Sequence, residues 1–486
     1  MLLSELIKGF YIKPLPAAWG DFEVRMVSCD SREDQADGLF VALSGFKFKG
    51  EDFIKDALSR GAKVIVSGGG NDLIKILGDD IHKVCILEVD DPKAFLQVIG
   101  QRFYGSPSQK IKSIGITGTN GKTTITYLME SIIHTIGKTC GVVGTINHRV
   151  GDKTIPSKNT TPGFLDNQRF LSQLVEAKVD YCVMETSSHA LDQGRLKGID
   201  FTAGIFTNLT QDHLDYHKDM ESYFKAKALL FRGLGQNAAA IINVDDDYGK
   251  RLLCQGPIWR YAIDEAADVR AVNIHYHLSG SRFEIAFPQG QVTINTRFIG
   301  KHNVYNILAA FTWGVSQEFD PVLVQKGIER LTHVPGRLEP VNNDKGIFIF
   351  IDYAHTEDGL VNVLKALRAV TTSKIILVFG CGGDRDRTKR PKMAKAASEL
   401  ADHSVVTSDN PRSEDPQAII DEILTGFTKK NYEVCVDRTE AIGRALKLAQ
   451  KGEVVLIAGK GHEDYQIFRD KTIPFNEREI IKEFLR

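Results

Sequence analysis

The chain has 486 residues, with 61 Lys and Arg against 62 Asp and Glu, a net charge of −1, and 42% hydrophobic and 25% charged residues. That length exceeds one ordinary core and predicts several domains, while the balanced charge excludes a global basic field for nucleic acid or anionic membrane. Seven cysteines without a C-x-x-C pair, an N-terminus (MLLSELIKGF) that lacks a signal-peptide core, and no apolar run long enough for a bilayer predict a reduced, cytoplasmic protein.

Three blocks follow one another. The first, residues 1–108, mixes short strand-like runs (39–43, 63–66, 84–89) with a helix over 52–59, and it ends in YGSPSQ (104–109), which has linker composition. The second, 109–335, alternates buried strand candidates (111–117, 181–185, 204–207, 239–244) with helices, which predicts a mostly parallel sheet. A polar strand-like section (269–298) and an alanine-rich helix (302–314) close it. The third, 336–486, repeats strand and helix: strands at 346–351, 374–379, 404–407, 433–436 and 453–458, helices at 359–369, 389–400, 417–426 and 439–450. The fold class expected is therefore α/β in three domains: a P-loop-type central sheet, then a doubly wound, Rossmann-like one whose strand ends carry ligand contacts.

The stretch GITGTNGKTT (115–124) joins a strand to a helix through a glycine-rich turn. Gly118 and Gly121 let backbone N–H groups approach an anion; Lys122 supplies a charge for β/γ-phosphates, and Thr123 or Thr124 a hydroxyl for Mg²⁺. The strict G-x-x-x-x-G-K-[ST] pattern is not met, because Ile116 stands at its first glycine. Glu185, at the end of the strand running into METSSHALDQGR (184–195), is placed as a carboxylate for the metal of a bound nucleotide. In TNLTQDHLDYH (207–217), His213 and His217 stand at i, i+4, but Leu214 replaces the glutamate of HExxH, so a zinc protease is excluded.

GTNGKTT and TNLxxDHLDYH resemble the Mur ligase family and its folylpolyglutamate synthetase relatives. That resemblance implies an ATP site over Gly118, Thr119, Asn120, Gly121, Lys122, Thr123 and Thr124. It implies Mg²⁺ held by Thr123, Glu185, His213 and a carbamate formed from CO₂ on Lys227, the lysine aligned by the following Ala-Leu-Leu in preference to Lys225. His217 is then structural. Downstream, GKHNVYNILAA (300–310), VPGRLE (334–339) and DYAHTEDG (352–359) match the family's C-terminal half in order. By resemblance Asn303, Arg337 and Asp352 join the ATP site; Glu357 stands where the family commonly has proline.

Three loops decide the branch. FGCGGDRDRTKRPKM (379–393) looks like a dinucleotide turn, yet its glycine spacing is wrong and Arg385, Arg387, Lys389 and Arg390 crowd it, so NAD is excluded. With SDNPRSEDP (408–416) and AGKGHEDYQ (458–466), it resembles the diaminopimelate-adding branch of the family. That implies a site for meso-diaminopimelate at Arg385, Asp409, Asn410, Pro411, Arg412, Gly459 and Glu463. It also implies one for UDP-MurNAc-L-Ala-D-Glu at Ser31, Asn159, Thr160, Thr161, Ser187, Gln193 and Arg195, Ser31 lying in CDSREDQADGLFVALSGFKFKG (29–50). The expected activity is ATP-dependent amide ligation by a monomer, with Lys122, Glu185, His213 and Lys227 as the catalytic group. Two alternatives stay open: another ligase of the superfamily, adding lysine or acting on folates, and a P-loop nucleotide switch without ligase activity.

Overall fold

The computed structural model describes residues 1–10, 15–45, 48–68, 73–151 and 153–486. Residues 46 and 47 of the 29–50 motif lie outside the described set. The chain forms two compact units. The first holds Met1–Thr119, Lys138–Ala240 and Arg251–Ile258; the second holds Asn120–Gly137, Ile241–Lys250 and Trp259–Arg486. The chain passes from one to the other between Thr119 and Asn120, inside the glycine-rich turn.

In the first unit, strands Met26–Ser28, Gly38–Val41, Ala62–Ser67 and Cys85–Glu88 lie side by side and parallel. Leu39, Val41, Val64, Val66 and Leu87 bury one face against helix Pro92–Phe103. That helix starts where it does because Asp91 accepts from the N–H groups of Lys93 and Ala94 and Pro92 takes the first position. A further parallel set runs Phe201–Phe206, Lys112–Thr117, Tyr181–Glu185, Cys140–Val143. Antiparallel strands Asn147–Val150 and Lys153–Pro156 extend it. The register pairs Ile116 with both Glu185 and Ile205, so the strand ends meet at one level. The stretch 104–109 is no loose tether: Pro107 and Ser108 are buried, and Ser108 Oγ donates to Gly198 O at 3.1 Å.

In the second unit, helix Lys122–Thr135 packs on Lys301–Ser316 and Pro321–Arg330. Ser131 Oγ donates to Gly327 O at 2.6 Å, and a Cβ on Gly327 would meet Ile132 Cα at 2.6 Å, so the close approach requires glycine. The polar section folds as the meander Val269–His277, Gly280–Phe287, Gly290–Thr296. Among the described residues a six-stranded sheet follows in the order Glu339–Val341, Phe348–Asp352, Val454–Ala458, Ile375–Phe379, His403–Val406, Tyr432–Val434. All its pairings are parallel except the first. Phe350, Leu377 and Leu456 face one core, and Ile349, Ile351, Ile376, Val378, Val455 and Ile457 the other. Burial on both faces explains the uninterrupted apolar runs of these strands. Glu357 opens helix Glu357–Arg368 beside its cap Thr356, whose Oγ1 accepts from Gly359 N. A carboxylate there complements the helix dipole, so the loss of proline leaves the turn intact.

Candidate active site

The glycine-rich turn is built from both ends. Gly118 (φ 147°) lies so close to Thr207 that a Cβ would come within 1.8 Å of its Oγ1, and Gly121 (φ 92°) caps helix Lys122–Thr135. The first turn of such a helix presents N–H groups that lack intrahelical acceptors, the usual seat of a phosphate. Lys122 opens it, with Thr123 and Thr124 buried behind. In the first unit, Thr119 N donates to Asn208 O at 2.9 Å, and Thr119 Oγ1 lies 3.3 Å from the Tyr223 hydroxyl.

Lys227, only 1% exposed, donates from Nζ to Gly118 O at 2.8 Å and stands 4.5 Å over the Tyr223 ring. Lys225 on the same helix, Met220–Arg232, is exposed. Glu185 is also sealed: its carboxylate accepts from Thr145 N and Thr145 Oγ1, both at 2.9 Å. His213 sits at φ 53°, half-exposed, with its ring 4.9 Å from that of His189. His217 is buried, its Nε2 2.9 Å from Ser188 Oγ. Burial holds the imidazoles of His189 and His217 below their ordinary value. Among the described residues no group of three or more His, Cys, Asp or Glu stands ready to hold a metal ion.

Of the residues expected for the UDP-sugar peptide, Thr161, Ser187, Gln193 and Arg195 come together in the first unit. Thr161 Oγ1 donates to Glu185 O at 2.7 Å and accepts from Ser187 N at 3.0 Å, while Thr160 Oγ1 lies 3.1 Å from Thr145 Oγ1. Ser157 Oγ donates to Asn159 O at 2.8 Å. Arg195 donates to Thr161 O at 3.1 Å and through Nε to Gln193 Oε1 at 2.9 Å. Gln193 and Arg195 also line a cleft of about 260 Å³ with Asp30, Glu33, Lys93 and Arg169. Ser31 is buried in the loop that supplies Asp30 and Glu33 but is not one of the cleft's lining residues.

In the second unit Arg337 stands 5.2 Å over the Tyr353 ring and reaches Thr123 Oγ1 at 3.5 Å. Asp352 accepts from Leu338 N at 2.7 Å and Ala354 N at 2.8 Å, and burial raises its carboxyl against the pull of Arg337. Asn303 is turned inward: its Nδ2 donates to Ile299 O and its Oδ1 accepts from Asn306.

The loops carrying GGDRD, DNPR and GKGHED meet in the same unit. Gly383 N donates to Asn410 O at 2.9 Å, Arg412 Nη1 to Gly383 O at 2.8 Å, and Arg412 N to Ile467 O at 3.0 Å. Arg412 itself takes the left-handed conformation at φ 54°. Pro411 is buried, its carbonyl 1.9 Å from where a Cβ on Gly383 would fall, and Arg385 is exposed. Asn410 donates to Glu463 Oε2 at 2.8 Å. A Cβ on Gly459 (φ 120°) would meet Asp409 Oδ2 at 2.7 Å. Burial works to raise the Asp409 carboxyl, but Lys460, Arg438 and the Asn410 N–H together hold it below the ordinary carboxylate range.

Two buried arginines brace these loops, Arg390 from within the 379–393 stretch and Arg438 from outside the motifs. Arg438, fully buried, pairs with Glu477 at 2.7 Å and donates to Ala458 O at 2.9 Å. Arg390, also buried, forks onto Glu414 and reaches Glu422, each at 2.8 Å, and Glu414 in turn accepts from Asp384 N. Nothing local in the sequence marks either guanidinium as buried: Arg390 stands among the lysines of helix Lys389–Leu400, and Arg438 opens helix Arg438–Leu448.

Family models match in three consecutive stretches: the Mur ligase family catalytic domain over residues 23–104, the Mur ligase middle domain over 116–314, and the Mur ligase glutamate ligase domain over 336–461. The chain belongs to the Mur ligase family. Within that family it is 44% identical over 473 residues, 96% of each chain, to a Clostridium acetobutylicum protein named UDP-N-acetylmuramoyl-L-alanyl-D-glutamate--2,6-diaminopimelate ligase 1. It is 42% identical to the Clostridium tetani ligase of the same name over 96% of this chain and 95% of that one. A solved structure of a UDP-N-acetylmuramoyl-L-alanyl-D-glutamate--2,6-diaminopimelate ligase superposes with a TM-score of 0.72 at 31% identity, covering 100% of this chain and 98% of the other. In this Mur ligase GGDRD, DNPR and GKGHED meet in one place.

Proposed function

We propose that this Mur ligase joins meso-diaminopimelate to the γ-carboxylate of D-glutamate in UDP-MurNAc-L-Ala-D-Glu at the expense of ATP. The observation that carries the reading is the knot of Asn410, Arg412 and Glu463, carried on a chain over 40% identical to ligases of that name. In the reaction the γ-carboxylate attacks the terminal phosphorus of ATP and ADP leaves. An amine of diaminopimelate then attacks the acyl phosphate, a proton is lost, and inorganic phosphate departs as the amide forms. A carboxylate is a poor electrophile, so activation is required, and the protein contributes mainly positioning and charge neutralisation.

In this reading residues 1–108 hold the uridine nucleotide, 109–335 the ATP, and 336–486 the incoming amino acid. Gly118 to Thr124 cradle the phosphates, with the Lys122 ammonium and Arg337 set against their charge, while Asn303 and Asp352 shape the nucleotide pocket from inside. Ser31, Asn159, Thr160, Thr161, Ser187, Gln193 and Arg195 bind the UDP-sugar peptide. Arg385, Asp409 to Arg412, Gly459 and Glu463 bind diaminopimelate. Thr123, Glu185, His213 and a carbamate on Lys227 would hold Mg²⁺, a hard cation suited to an oxygen-rich donor set, which supplies charge neutralisation at the transferred phosphoryl group. The fit rests on Lys227: as an ammonium it would repel the ion, whereas carbamylation turns its sealed position into an oxygen donor.

The test is one assay with UDP-MurNAc-L-Ala-D-Glu, Mg-ATP and either diaminopimelate or lysine. Amine-dependent ADP release with a UDP-MurNAc-tripeptide product from diaminopimelate is expected. ADP release that ignores the amine, or preference for another acceptor, would overturn the proposal.

A further inference from the structure

Lys460 lies between Gly459 and Glu463, yet its side chain faces the protein interior. It is 0% exposed, and its Nζ donates to Asn410 Oδ1 at 2.9 Å. Ile467 N donates to the same oxygen at 3.0 Å. Two donors on one atom settle which end of the carboxamide is oxygen, so Asn410 Nδ2 is the end that faces Glu463 Oε2, at 2.8 Å. Lys460 Nζ also stands 3.6 Å from that carboxylate.

We infer that Lys460 is a positioning residue for the amino-acid site: by holding Asn410 Oδ1 it aims the carboxamide, and through it the Glu463 carboxylate, at the incoming amine. The inference rests on the proposed function, which places Asn410 and Glu463 at that amine. A substrate ammonium needs a fixed, ionised carboxylate, and a flipped Asn410 would present its oxygen to Glu463 and turn that carboxylate away.

Charge supports the geometry. The groups facing Lys460 are Asp409, Glu463, Glu477 and Arg438, with the Tyr465 and Phe475 rings at 5.8 and 5.9 Å. Those facing Glu463 are Lys460, Asp409 and Asn410, with Tyr353 and Tyr465 beside it. Burial raises the Glu463 carboxyl, and Lys460 is the cation that opposes the rise. Removing it leaves Glu463 and Asp409 to repel each other in a poorly solvated place, so protonation moves toward neutral pH.

The experiment compares wild type with Lys460→Met and Lys460→Gln, the second keeping a donor for Asn410 without the charge. KM for diaminopimelate, UDP-MurNAc-dipeptide and ATP is measured from pH 6.5 to 9. Lys460→Met should raise KM for diaminopimelate about tenfold at pH 7, the scale of one lost hydrogen bond involving a charged group. The other two KM values should hold, the ratio to wild type should shrink as pH rises, and Lys460→Gln should fall between. An unchanged KM for diaminopimelate in a folded variant, or a rise independent of pH, would overturn the inference. So would loss of fold in both variants, which would reduce Lys460 to a stability element. Wild type that makes no tripeptide with diaminopimelate is instead a failure of the proposed function.

Discussion

Lys227 Nζ and the carbonyl of Gly118 are 2.8 Å apart, which ties the buried amine of a helix to the glycine-rich turn. The contact explains why the chemistry expected of this lysine is sensitive to place: two residues earlier, Lys225 is exposed to water. Lys227→Ala should abolish ligation, and short carboxylic acids in the buffer should restore part of it by supplying the missing oxygen. Lys225→Ala should remain near wild type. Turnover by both variants with and without acetate checks the ranking.

Lys122→Ala should lower kcat by about 10²–10³ while circular dichroism and the unfolding midpoint stay unchanged, because one preorganised charge against a developing one is commonly worth that much. Near-normal turnover in a folded variant would remove the turn from the ATP site.

Arg412 holds a left-handed backbone and is anchored through Nη1 to Gly383 O. Its planar fork can pair with the second carboxylate that distinguishes diaminopimelate from lysine. Wild type should favour diaminopimelate by about 10⁴ in kcat/KM, the scale on which a site rejects a substrate lacking a required polar partner. Arg412→Ala should narrow that gap chiefly by losing diaminopimelate. Equal use of both amines by wild type would refute the assignment.

Glu414 is held down to about 2 by Arg390, first through their hydrogen bond and then with help from Asp384 N. A carboxylate depressed in the folded state contributes stability that is complete above its unfolded value, near 4.5, and is lost as pH falls toward 2. Glu414→Gln should therefore be less stable than wild type at pH 6, and the two unfolding midpoints in urea should converge between about pH 4.5 and 2. A constant difference across that window would show that the pair does not titrate with folding.

The sheet of the second unit was legible because strands such as 375–379 and 454–458 are apolar on both faces. The glycine turn was legible for a local reason also: Gly118 and Gly121 are needed where they stand. Other features arise only from register. Thr145 grips Glu185 because strands Cys140–Val143 and Tyr181–Glu185 run side by side, with Val143 opposite Met184, and nothing near Thr145 announces it. Lys460 finds its partner Asn410 fifty positions back. Composition misled at 104–109, where glycine, proline and serine signal a linker but Pro107 and Ser108 are buried. Asn303, too, spends its amide on Ile299 O.

The pairing of Arg438 with Glu477 bears on how this unit comes to exist at all. Glu477 follows every strand of the sheet in chain order, yet it neutralises a guanidinium that already bonds Ala458 O, one residue before Gly459. Without Glu477 that guanidinium keeps, among the described residues, only the Asp409 carboxylate opposite it, and removing one partner of a buried pair costs about 3–5 kcal/mol. A chain cut before Asn476 would therefore lose far more than a tail: it would unseat the guanidinium that pins the end of strand Val454–Ala458.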